Sequence, residues 1–195
     1  MKKLILASAS PRRKMLLEWA ELQFEVAPSD VDEYVDPNLL PAEVAISISK
    51  RKNQKVFQAY DPSGSNTLIL SADTIVVLNN EIIGKPADRN EAISTLEKLS
   101  GKTHEVITGV CIRDSKEEIC FSELTQVSFH ELTLNQIIHY VDTYKPYDKA
   151  GGYAIQEWIG VVGIKEIKGD FYNVMGLPVS KVVSILNSTF NFPGV

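Results

Sequence analysis

The sequence predicts an α/β fold with a mixed β-sheet, one domain over residues 1–195 built as two lobes joined by a cleft. Three observations predict it. Strand-like and helix-like apolar patterns alternate along the chain, with no internal repeat and no low-complexity tract. A length of 195 residues, 44% of them hydrophobic and 23% charged, matches a globular chain with a sizeable core. No linker separates independent domains.

Leu4 to Ala7 reads as a short buried strand, and a helix follows from Pro11 to Ala20. Ser10 is its N-cap and Pro11 its first residue, where a missing N–H costs nothing. Phe24 to Ala27 reads as a second strand, followed by an acidic loop with Asp30, Asp32, Glu33 and Asp36. Pro41 to Tyr60 fits a long helix, with Val44, Ile48 and Val56 on one face and the lysines and arginines on the other. The turn residues 61–66 lead into a β-branched strand, Thr67 to Leu78, and Asn79-Asn80 forms a tight hairpin turn into Glu81-Ile83. Helix is predicted over 90–99, stopped by Ser100-Gly101, then strands over 105–113 and 119–131 around a polar turn at 114–117. A helix over 134–144, a strand over 161–167 and a terminal helix after Pro178 complete the order.

Composition excludes several classes. The 25 acidic and 20 basic residues leave a net charge of −5, and no basic patch interleaved with aromatics is visible, so no nucleic-acid partner is expected. No apolar run approaches the roughly 20 residues of a membrane-spanning helix, so no membrane partner is expected either. The basic, apolar start at residues 2–7 is too short for a signal peptide and is broken by Pro11-Arg12-Arg13. Cys111 and Cys120 lie outside any CxxC group and are expected as reduced thiols in a cytoplasmic setting. His104, His130 and His139 have no zinc spacing and are expected at the surface or an interface.

Three segments combine residues suited to chemistry. Ser8-Ala9-Ser10-Pro11-Arg12-Arg13 ends a strand and opens a helix, presenting free N–H groups and two arginine forks to an anion; a capped helix with solvated arginines is the other reading. Ser71-Ala72-Asp73-Thr74 puts a carboxylate inside an apolar strand, which costs desolvation energy unless it is paired or put to use; a turn-capping aspartate is the alternative. Gly84-Lys85-Pro86 lacks the flanking residues of a P-loop, and Lys85 alone is equally a phosphate-binding cation or a solvated turn lysine. Glu33 in the acidic loop and Lys52 on the basic helix face would not stand out by themselves. Gly151 to Gln156 and Gly169 to Pro178 set glycines among aromatic and amide side chains, where Gln156 suits the edge of a base.

Together these segments resemble the Maf family of nucleoside triphosphate pyrophosphatases. The resemblance runs through 6–13, Val31-Asp32-Glu33, 71–76, 84–86, 99–110, 148–156 and 169–179, nearly the whole chain. It implies an elongated mixed α/β sheet with flanking helices around a central cleft. It also implies a cytoplasmic homodimer that cleaves a nucleoside triphosphate between the α and β phosphates with a divalent cation, Mg²⁺ or Mn²⁺. Asp73 then matches the catalytic base, with Glu33, Lys52 and Lys85 as its catalytic companions and Glu33 and Asp73 as the metal ligands. Ser8, Ser10, Arg12 and Arg13 would hold the phosphates.

Arg12, Thr74 and Gln156 match the three positions that mark the dTTP/UTP-cleaving group, whereas members acting on 7-methyl-GTP carry an aromatic residue, Gln and Glu there. Glu157 and Trp158 depart from the small glycine that usually follows this glutamine, a departure that bears on base preference. The alternatives are the same reaction on 7-methyl-GTP, CTP or another noncanonical nucleotide, or a nucleotide-binding regulator of septum formation.

Overall fold

The computed structural model describes residues 2–32, 36, 38–60 and 66–192. They form two compact units, the first from Met1–Asp73, Thr108–Glu123 and Gly176–Val195, the second from Thr74–Ile107 and Leu124–Met175. The elements are, in order, β1 (Lys3–Leu6), α1 (Pro11–Trp19), β2 (Phe24–Val26), α2 (Pro41–Tyr60), β3 (Thr67–Leu78), β4 (Glu81–Ile83) and α3 (Arg89–Leu99). Then come β5 (Thr103–Arg113), β6 (Glu118–Phe129), α4 (Leu134–Tyr144), a 3₁₀ turn over Ala150–Gly152, α5 (Trp158–Gly163), β7 (Ile164–Lys168), α6 (Phe171–Met175) and α7 (Val179–Ser188). Among the described residues the strands run β2-β1-β3-β5-β6-β7 in one mixed sheet, with β4 paired to β3.

In the first unit β1 pairs in parallel with β2 and with β3, Leu4 standing opposite Phe24 on one side and Leu68 on the other. Such parallel strands are covered on both faces and read as continuous apolar runs. Leu4, Ile5, Leu6, Leu68, Ile69 and Leu70 are accordingly all buried. Helix α2 lays Val56 into a cluster with Ile5, Ala7, Ala27 and Ile69, and Phe57 packs beside it. Gly109 of β5 sets how closely α2 approaches the sheet. A Cβ there would stand 2.2 Å from the carbonyl carbon of Ala45, so no larger residue fits without moving backbone.

The second unit opens with the end of β3, which turns through Asn79 and Asn80 at φ 52° and 66° into antiparallel β4. Two successive left-handed residues are what a type I′ hairpin turn requires. Asp88 caps α3 by accepting from the N–H groups of Asn90 and Glu91 at 2.8 and 3.0 Å. Thr133 and Gln136 form a reciprocal capping box at the start of α4, and Lys145 ends that helix in a left-handed conformation.

Four expectations are corrected. The strand predicted over 161–167 is divided, because 158–163 is the helix α5 and the strand begins only at Ile164. The β-branched pair Val161-Val162 suggests a strand locally, but Gly160 N–H and Val161 N–H both donate to Glu157 O and close a helical turn instead. His104 lies at 1% exposure inside the second unit, not at a surface, edge-on to Tyr153 and tilted against Phe129.

Cys111 and Cys120 are disulfide-bonded rather than free. The turn that joins β5 to β6, in which Asp114 N–H donates to Glu117 O, brings them opposite each other with Cα atoms 4.2 Å apart. Ser10 precedes α1 in extended conformation as expected, but its side chain makes no capping bond.

Candidate active site

Most of the predicted site residues belong to the first unit. At the junction of β1 and α1, Arg13 is buried and folds back, donating from Nε to Gly176 O at 2.8 Å and from Nη1 to Ser8 Oγ at 3.0 Å. Ser8 Oγ also accepts from the Ser10 N–H at 3.2 Å. A hydroxyl has one donor and two acceptor positions, so these two bonds leave the Ser8 O–H as a donor. Ser10 and Arg12 are half-buried at the same helix start. The arrangement concentrates donors and positive charge where the helix dipole is also positive.

The second group lies where α2 crosses β3. Lys52 Nζ donates to Asp73 Oδ1 at 2.6 Å, and the two residues are only 9% and 8% exposed. Lys52, expected on the basic helix face, lies instead on the buried side of α2. Lys52 follows Ala45, Ile48 and Ser49 at spacings of seven, four and three on the buried stripe of α2, whereas Lys50 reaches Glu118 at 3.1 Å and Lys55 donates to Asp30 O.

A polar network missed by the sequence analysis fixes this crossing. Ser71 Oγ donates to Ser49 O at 2.8 Å and lies 3.1 Å from Ser49 Oγ, while Asn53 Nδ2 donates to Ile69 O and to Cys111 O, both at 3.0 Å. Ser49 and Asn53 flank Lys52 on the helix, and Ser71 lies two residues from Asp73 on the same side of the strand. Their signal was present in the sequence. Three polar residues, 49, 52 and 53, interrupt an otherwise apolar helix stripe.

The second unit holds the other three described candidates. Thr74 follows Asp73 in β3 and is half-buried. Lys85 is exposed, on a segment tied down by a 3.1 Å bond from Gly151 N–H to Gly84 O. Gln156 is exposed in the turn before α5. Glu33 lies outside the described residues. Among those described, Cys111, Glu118 and Cys120 are a group of three cation-ligand types brought close together, but the two sulfurs are joined to each other.

The fold and these groups define an α/β protein with a donor-rich strand-to-helix turn and a buried lysine–aspartate pair. Residues 3–189 match the Maf family, described as Maf-like protein, and the chain belongs to that family.

Relatives bear the name dTTP/UTP pyrophosphatase. The one from Cytophaga hutchinsonii is 47% identical over 188 residues, covering 96% of this chain and 84% of its own. Those from Thermosipho africanus and Caldicellulosiruptor saccharolyticus are 47% and 42% identical, covering 94% and 95% of this chain and 92% and 94% of theirs. Among solved structures, a protein from Vibrio cholerae aligns over 75% of this chain and 78% of its own, with a TM-score of 0.37 and 9% identity, too slight a likeness to bear on the fold.

Proposed function

We propose that this chain hydrolyses dTTP and UTP to the nucleoside monophosphate and pyrophosphate, with residues 1–195 acting as one functional domain. The observation that carries the reading is the Lys52–Asp73 pair, two opposite charges 2.6 Å apart, buried where apolar residues would serve the fold. Buried ion pairs stabilise little after desolvation, so a pair held this closely is best explained by use. The relatives named dTTP/UTP pyrophosphatase support the substrate class.

In the mechanism, Ser8, Ser10, Arg12 and Arg13 bind the phosphate chain through side-chain and backbone donors. Asp73 orients a water molecule and takes its proton as the water oxygen attacks the α phosphorus. The bond from that phosphorus to the bridging oxygen breaks, and the electron pair leaves with pyrophosphate. Lys52 fixes the carboxylate, and Lys52 and Lys85 offset charge growing on the leaving group. Thr74 and Gln156 read the base, the amide of Gln156 offering both a donor and an acceptor to a pyrimidine edge.

Asp73 offers hard oxygen donors, which fits Mg²⁺ or Mn²⁺, cations commonly held by one or two carboxylates together with substrate phosphates. Glu33 would be the second carboxylate. A cation held there would neutralise part of the triphosphate charge. The reading also takes the enzyme to be a homodimer, to be checked by light scattering. It places the work in the cytoplasm, where nucleoside triphosphates are held.

Asp73→Asn tests the assignment. Pyrophosphate release should fall at least about a hundredfold with an unchanged fold by circular dichroism, and near-normal release would overturn it. A panel of dTTP, UTP, CTP, GTP and 7-methyl-GTP with each metal tests the base. Preference for 7-methyl-GTP would overturn the pyrimidine reading.

A further inference from the structure

Gln156 is exposed, yet the backbone that carries it is unusually well held, and the holding groups all belong to the second unit. Ala154 to Glu157 forms a turn closed by Glu157 N–H donating to Ala154 O at 3.1 Å. The Tyr140 hydroxyl lies beneath it and grips both ends. It accepts from Ala154 N–H at 3.1 Å and donates to Glu157 Oε2. Tyr140 is fully buried and its ring stacks on Tyr144 with centroids 5.0 Å apart, so the hydroxyl has little room to move. Lys149, itself buried, approaches the other carboxylate oxygen of Glu157 at 3.6 Å.

Two further contacts fix the same turn. Trp158 packs edge-on against His139, the neighbour of Tyr140 on α4, at 4.9 Å. Gly160 lies so close beneath Ile155 that a Cβ would fall 1.7 Å from the Ile155 carbonyl oxygen.

Glu157 takes the place of the small glycine expected beside Gln156. Its carboxylate is engaged by Tyr140 and Lys149, and its pairing there makes it a support of the turn. We propose that Tyr140 and Glu157 are positioning residues that set the amide of Gln156 for base selection. This rests on the reading of Gln156 as the base-contacting residue. A turn held at both ends presents one amide geometry, so a correct base does not have to order the loop on binding. Loosening the turn should therefore weaken binding of the favoured base more than it slows phosphorus chemistry.

Steady-state kinetics of pyrophosphate release on the full chain test this, comparing wild type with Y140F, E157A, E157Q, Q156A and Y140F/Q156A on dTTP, UTP, CTP and GTP. Y140F and E157A should raise KM for the best nucleotide about tenfold, the scale of one buried hydrogen bond, while kcat changes less than about threefold. The spread of kcat/KM across the four bases should narrow. E157Q, whose amide oxygen still accepts from Tyr140, should stay within about threefold of wild type, and Y140F/Q156A should discriminate no less than Q156A alone.

An unchanged spread in Y140F, or a loss on kcat equal for every base, overturns the proposal. Should E157A fail to fold, Y140F and E157Q decide. The two readings fail separately. A wild type that prefers GTP or CTP refutes the dTTP/UTP assignment, while the response of that preference to Y140F still judges the clasp.

Discussion

Acidification should destabilise this protein well above the range where carboxylates titrate, and His104 is the reason. Burial pushes its imidazole down from 6.5 to about 4. The ring bonds Tyr153 Oη through Nε2 at 2.7 Å, and Nδ1 has no hydrogen-bond partner among the described residues. Burial likewise pushes the Tyr153 phenol up, so the pair is neutral at physiological pH. Between pH 6.5 and 4 the unfolded chain binds a proton at this position that the folded chain refuses, so stability rises with pH in that window.

The His104 contribution is complete above about pH 6.5, declines below it and levels off below about pH 4. A gap of roughly two to three pH units at about 1.4 kcal/mol each gives ~3–4 kcal/mol in all, most of it lost by pH 4.5. Urea unfolding of wild type and H104F at pH 7.5, 6.5, 5.5 and 4.5 measures it. H104F keeps a ring against Phe129 and Tyr153 but cannot titrate; it starts less stable, having lost the bond to Tyr153, and should lack the decline. Asp114 does not interfere. Burial raises its carboxyl but bonds from Lys2 and the Lys116 and Glu117 amides outweigh this, so its contribution is lost only below its ordinary 3.8. Parallel pH curves for the two proteins would rule out His104 as the source of the decline.

Two other outcomes follow from backbone geometry. Gly109→Ala should cost at least about 2 kcal/mol in urea unfolding, because its methyl would fall on the Ala45 backbone, and it should reduce pyrophosphate release by shifting the helix that carries Lys52. Asp88→Ala removes the acceptor for two N–H groups at the start of α3 and should cost about 1 kcal/mol, roughly 3 °C in Tm, with kcat unaltered.

Elements bounded by local chemistry were legible in the sequence to the residue. Pro41 opens α2, Asn79-Asn80 separates β3 from β4, and α4 runs from Leu134 to Tyr144 as its capping box and Lys145-Pro146 require. What was not legible depends on neighbours distant in sequence. The helix at 158–163 depends on a glycine fitting beneath Ile155, and α6 spans only five residues, too few for a periodic pattern. The burial of His104 depends on Phe129 and Tyr153, and the Cys111–Cys120 bond on hairpin register. Among the candidate site residues, Ser8, Arg13 and Asp73 stand out in the sequence by their surroundings. Lys52, named only through the family resemblance, does not stand out among Lys50, Arg51 and Lys55, because its burial follows from helical phase rather than from charge.

That phase leads to a sharper test of what the buried pair does. Removing one partner takes away the 2.6 Å attraction while the other charge stays buried, so Lys52→Met or Asp73→Leu alone should each cost about 3 kcal/mol. Removing both with apolar residues of similar volume eliminates the desolvation penalty together with the attraction, and K52M/D73L should be as stable as wild type or more so, by up to about 4 kcal/mol. Ser49, Asn53 and Ser71 are bonded to one another or to backbone, not to the pair, so the crossing of α2 over β3 survives the double change. The double variant should then unfold at equal or higher urea concentration and release no pyrophosphate. If it is instead destabilised by the sum of the single losses, the pair holds the fold together, and the inference from its burial to catalysis fails.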